Sequence, residues 1–177
     1  MADTTYWLTE DWLNRFSACV ESMTEVRPSL MRGGQMAAGA ADVPSGGLWL
    51  SVPLDVAPGA AALIGMSEET WLAMGKSALT AAGVDAVTPN DAKGVWVEIV
   101  SQSTSGLAES IAARLARPVA SLAPRQITLS GAALAETPGV VPIEISLRDA
   151  RLGKLFLGWS RSLEAALAAT NAKAGGQ

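Results

Sequence analysis

The sequence predicts an α+β domain built from two diverged copies of a helix–hairpin–helix unit, with one mostly antiparallel central sheet and long helices packed on it. Three observations carry this. Two long stretches repeat apolar residues at spacings of three and four, as amphipathic helices do. Two shorter stretches alternate apolar and other residues and are each followed by a serine that opens a further helix. The order helix, hairpin, capped helix then recurs. At 177 residues the chain suits one core, so residues 1–177 are expected to form a single domain with pseudo-repeats at about 9–83 and 90–170.

The elements follow in order. Thr9 is expected to cap a first helix whose face carries Leu13, Phe16, Val20 and Met23 and which ends near Pro28. Residues 32–47, rich in glycine and alanine, read as a mobile loop. Leu48, Leu50, Val52 and Leu54 alternate as in a strand, Pro58-Gly59 marks a turn, and residues 60–65 return. Ser67, followed by Glu68 and Glu69 at the positive end of the helix dipole, starts a helix that Gly83 ends. A second long helix is expected from Asn90 or Asp91, with Val97, Val100, Thr104, Leu107, Ile111 and Leu115 on one face, stopping before Pro118. Strands are read at residues 126–130, 141–147 and 154–158. Ser160 caps a closing helix through Ala169, and residues 171–177 are expected to fray.

The two halves superimpose by position. A shift of 84 carries Trp12, Leu13, Phe16, Val20 and Met23 onto Trp96, Val97, Val100, Thr104 and Leu107. The same shift sets Asn14, Ser17 and Glu25 on Glu98, Ser101 and Glu109, opposite the apolar stripe. A shift of 93 carries Leu50, Val52, Leu54, Gly65 and Ser67 onto Ile143, Ile145, Leu147, Gly158 and Ser160. Such a duplication implies a pseudo-twofold arrangement with the hairpins joined in one sheet.

Composition narrows the chemistry. Hydrophobic residues make up 49% and charged residues 17%, yet no apolar run approaches the roughly 18–20 residues that cross a bilayer. The N-terminus has neither a basic region nor an apolar one, so a soluble cytoplasmic protein is expected. A net charge of −4 without a Lys/Arg cluster disfavours nucleic acid as partner. The chain contains no histidine, which removes Ser-His-Asp and Cys-His catalysis and the commonest transition-metal ligand. Cys19, the only cysteine, can form no intrachain disulfide and reads as a buried thiol. Catalysis, if present, rests on carboxylates, amides, hydroxyls or a partner's chemistry.

On the second long helix Glu98, Ser101, Gln102, Ser105 and Glu109 form one uninterrupted polar stripe. Glu98-Ile-Val-Ser101 is followed, after twenty-two intervening residues, by Pro124. In this spacing the chain resembles the bacterial chemotaxis phosphatases CheC and CheX and the flagellar-switch protein FliY. Their signature is Glu-x-x-Asn on a helix with a proline at that distance, and the element order over residues 9–170 is similar too. The resemblance implies a domain that binds the phosphorylated receiver of a CheY-type response regulator. Glu98 would be the docking carboxylate, with Ser105 and Glu109 on the same face, and the family's Asn would orient the water that attacks the receiver's phosphoaspartate.

In that reading Ser101 stands at the Asn position but lacks the paired donor and acceptor of an amide. Gln102 is the nearest amide, turned about 100° around the helix. Gly94 stands where the family often has Ser or Asp, and the first helix keeps no intact motif. No cofactor is expected in the chain itself, and the Mg²⁺ of the reaction would sit on the receiver. The second reading is a non-catalytic flagellar-switch or adaptor domain of the same fold, binding a response regulator or a second copy of itself. A third is a small-molecule site using the surfaces of the six tryptophans.

Overall fold

The computed structural model describes residues 2–175. It contains α1 (Ala2–Thr24), β1 (Ser29–Arg32), β2 (Met36–Ala37), β3 (Leu48–Pro53), β4 (Ala61–Met66), α2 (Glu68–Ala81), α3 (Pro89–Leu115), β5 (Arg125–Ile127), α4 (Gly131–Glu136), β6 (Gly139–Leu147), β7 (Ala150–Trp159) and α5 (Arg161–Gly175). One antiparallel sheet runs in the order β1-β6-β7-β4-β3-β5, with β2 also on β6. The expected fold class is the observed one. Alternate residues of the hairpins, Leu48, Leu50 and Val52, Ala62, Ile64 and Met66, Ile143 and Ile145, and Leu155 and Leu157, share one core with Trp12 and Phe16 of α1, Met74 of α2, Trp96 and Leu107 of α3 and Leu163 of α5. The long helices therefore cover one face of the sheet.

The duplication is visible in the strand register. Ile64 of β4 lies directly opposite Leu157 of β7, and these are the residues that the shift of 93 exchanges. A pseudo-twofold axis thus passes between them, relating β3-β4-α2 to β6-β7-α5. β1, which the sequence reading missed, and β5, which overlaps the strand expected at 126–130, extend the symmetry. β1 leaves α1 and pairs with β6 of the second unit, while β5 leaves α3 and pairs with β3 of the first, so each unit lends the other an edge strand.

Several boundaries differ from the sequence reading. α1 begins before Thr9, because Thr4 and Leu8 are themselves buried and extend the packed face by two turns. Thr9 is interior: its hydroxyl donates to the Thr5 carbonyl and accepts from the Trp159 indole. The Thr88–Asp91 capping box, with Pro89 after the cap, starts α3. Within the stretch expected to be a mobile loop, Met36 and Ala37 pair with β6, and Ala38–Ala40 form a 3-10 turn. There Ala38 packs against Val140 and Phe156 on the other face of the sheet, joined by Leu134 of α4 and half-buried Trp49, because alanine lets the backbone approach closely. α5, expected to stop at Ala169, continues to Gly175 on the buried anchors Leu163 and Leu167. The last two residues of the tail expected to fray lie outside the described residues.

α1 and α3 cross antiparallel over the sheet. The Trp12 indole of α1 donates to the Thr104 hydroxyl of α3 at 3.1 Å, and that hydroxyl donates in turn to Val100 O. The shift of 84 turns this contact into Trp96 facing Val20, which has no hydroxyl, and the buried Trp96 Nε1 has no hydrogen-bond partner among the described residues. Val20→Thr is therefore expected to supply the missing acceptor and stabilise the domain by about 1 kcal/mol, the usual net value of a buried hydrogen bond. For a domain of this size that raises Tm by roughly 2–4 °C. A lowered Tm in a thermal melt would show that the two helix pairings are not equivalent.

Candidate functional site

The polar stripe lies along the exposed ridge of α3 where α1 runs beside it. Glu98, Gln102, Ser105 and Glu109 are exposed, and Ser101 is half-buried. Their order follows from the opposite face: Trp96, Ile99, Val100, Ser103, Thr104, Leu107 and Ala108 are all buried, so the remaining positions point outward.

The structure joins two members of the stripe directly. Gln102 Nε2 donates to Glu98 Oε1 at 2.8 Å, the i,i+4 pairing a helix allows. The Gln102 oxygen accepts in turn from Cys19 Sγ of α1 at 3.4 Å. Cys19 is buried as expected, and burial first, then the charge of Glu98, pushes its thiol pKa above the ordinary value. Ser101 and Ser105 stand apart from this chain of contacts. Glu109 lies 3.8 Å from the Arg15 guanidinium, which also donates to Ser110. The Arg15 stem passes over Gly106, where a Cβ would come within 2.8 Å of its Cδ. Cys19 and Arg15 are contributions from α1 to the ridge that a one-helix reading misses; only the packing of α1 on α3 reveals them.

The symmetry-related positions on α1 behave differently. Asn14 is exposed, but Ser17 is 6% exposed, and Glu25 lies past the end of α1 with a φ of 65°. The match of polar faces between the helices is therefore confined to Asn14. Pro124 immediately precedes β5, and Pro28 immediately precedes β1 in the same way. The proline thus marks the entry to the edge strand in both units. Glu10, Leu13, Asn14, Ser17, Pro28, Leu30 and Arg32 line a cleft of about 220 Å³ on the α1 side, spanned by the Arg32–Glu10 ion pair at 3.0 Å.

The tryptophans form no exposed cluster. Trp12, Trp71, Trp96 and Trp159 are buried, Trp49 covers Gly65 on the outer face of the sheet, and half-buried Trp7 lies under the Arg114 guanidinium at 3.8 Å. Trp12, Trp71, Trp96 and Trp159 serve the core, Trp49 packs against Phe156 on the outer face and Trp7 against Arg114, so no exposed tryptophan cluster carries the third reading. No helix among the described residues is long and apolar enough to cross a membrane.

The antiparallel sheet and the long helices over it give the chain a CheC/CheX-like fold, the fold shared by solved FliY, CheX and FliM middle-domain structures. In particular, it is similar to FliY of Thermotoga maritima, with a TM-score of 0.70 and 11% identity over 94% of this chain and 92% of that one. It is also similar to a chain of the FliG–FliM complex from H. pylori, with a TM-score of 0.68 and 14% identity over 94% and 97%. A chain of the CheX–CheY–BeF3–Mg²⁺ complex from Borrelia burgdorferi matches with a TM-score of 0.54 and 12% identity over 86% and 97%. No protein-family model matches the chain, and no curated protein matches it. At these identities the likeness is one of fold.

Proposed function

We propose that this domain docks the phosphorylated receiver of a response regulator on the α3 ridge and accelerates hydrolysis of its phosphoaspartate. The observation that carries the reading is the Glu98–Gln102 pair, a carboxylate for docking and an ordered amide side by side on an exposed helix. The similarity to a chain of a CheX–CheY complex supports it. In the reaction a water oxygen bonds to phosphorus as the bond from phosphorus to the aspartate oxygen breaks. Phosphate and the free carboxylate result, and the water's second proton is carried by the phosphate. Such a displacement asks the protein for positioning more than for covalent chemistry. The Mg²⁺ belongs to the receiver in this reading, and the ridge supplies docking and a hydrogen-bonding amide.

The test is phosphate release from a phosphorylated CheY-type receiver. The chain is expected to accelerate it, and Glu98→Ala to lower kcat/KM by about tenfold, as truncation of a docked charge does. No acceleration would sink the reading. Ser101, where an asparagine is expected, favours a second reading, that of a switch or adaptor domain that binds without hydrolysing. An inactive natural chain that gains activity on Ser101→Asn would establish it.

A further inference from the structure

We infer that Cys19 of α1 is a positioning residue that locks the Gln102 amide and makes it, in place of Ser101, the group that orients water; this rests on the hydrolysis reading above. Gln102 is an exposed side chain with three rotatable bonds, and left alone it would sample many rotamers. Here both ends of its amide are held, Nε2 by Glu98 at 2.8 Å and Oε1 by the Cys19 thiol at 3.4 Å. An amide so held keeps one N–H and one lone pair free. That is the donor–acceptor pair an attacking water needs, and a serine hydroxyl cannot fix both at once.

The thiol suits this task. Cys19 is 9% exposed, and its burial together with the charge of Glu98 keeps it protonated, hence a donor, across the neutral range. The duplication supplies an internal control. The shift of 84 carries Cys19 onto Ser103, which instead donates to Ile99 O of its own helix at 2.7 Å, and sets Ala18 in the place of Gln102. The crossing of the helices alone therefore does not create the thiol–amide contact. It exists on one side of the pseudo-twofold only, the side that carries Glu98.

The experiment combines single-turnover phosphate release from the phosphorylated receiver with NMR order parameters of the Gln102 side-chain amide, on the full chain and its variants. Gln102→Ala is expected to return release to the receiver's own rate. Cys19→Ala is expected to lower kcat about fivefold with KM unchanged, the scale of a misplaced reacting group, and to drop the amide order parameter. Cys19→Ser is expected to restore neither, because a helical serine hydroxyl turns to the carbonyl four residues back, as Ser103 does. Acceleration that survives Gln102→Ala, or an unchanged order parameter in Cys19→Ala, overturns the positioning role while leaving the hydrolysis reading in place. No acceleration by the natural chain overturns the hydrolysis reading and the positioning role with it.

Discussion

Gly75→Val is expected to cost about 3 kcal/mol, the upper end of overpacking penalties, and to lower Tm by roughly 6–12 °C. α2 and α3 cross where Gly75 meets Ala92, and a Cβ at position 75 would stand 2.5 Å from both the Ala92 Cα and its carbonyl oxygen. Those are backbone atoms, so no rotamer change relieves the contact. The helices must separate, which loosens Met74 and Trp96 from the shared core. Gly94 is the matched comparison, since a Cβ there meets nothing within 4 Å and Gly94→Ala should gain about 0.5–1 kcal/mol in helix propensity. Urea unfolding of the two variants checks both signs. A Gly75→Val protein as stable as the natural one would mean that α2 does not hold this distance from α3.

The second large effect lies on the pseudo-twofold axis. Ile64 and Leu157 are both fully buried and face each other between the central strands β4 and β7. Ile64→Ala and Leu157→Ala are each expected to cost about 3 kcal/mol, within the 2–5 kcal/mol range of such truncations. Because the two residues occupy equivalent positions, the single effects should agree to within about 1 kcal/mol. Because they are in direct register, the double variant should depart from the sum of the singles. Additive effects, or one loss several times the other, would argue against the axis placed there by the register.

Much of this architecture was legible in the sequence because it depends on periodicities that local chemistry imposes. Leu48, Leu50 and Val52 had to alternate to put one face of β3 in the core, and Ser67 had to precede Glu68 and Glu69 to open α2, where its side chain accepts from Thr70 N. The shift of 93 is a one-dimensional record of the axis between Ile64 and Leu157. β1, β2 and α4 escaped notice for the opposite reason. They span four, two and six residues, too few to establish a period, and the pairing of β1 and β2 with β6 spans more than a hundred positions of sequence.

The candidate site divides along the same line. By itself the sequence determined that Glu98, Ser101, Gln102, Ser105 and Glu109 share one face of α3, since 3.6 residues per turn fixes that once the helix exists. It also determined the absence of histidine and the presence of one cysteine. What only the tertiary structure decided is which of those side chains are held and by what. Cys19 reaches Gln102, and Arg15 reaches Ser110 and Glu109, across an antiparallel helix crossing whose register is set by Trp12, Phe16 and Trp96 packing over the sheet. Contacts between residues some ninety positions apart leave no periodic trace in the chain, because they arise from the shape of the buried surfaces and not from the local backbone.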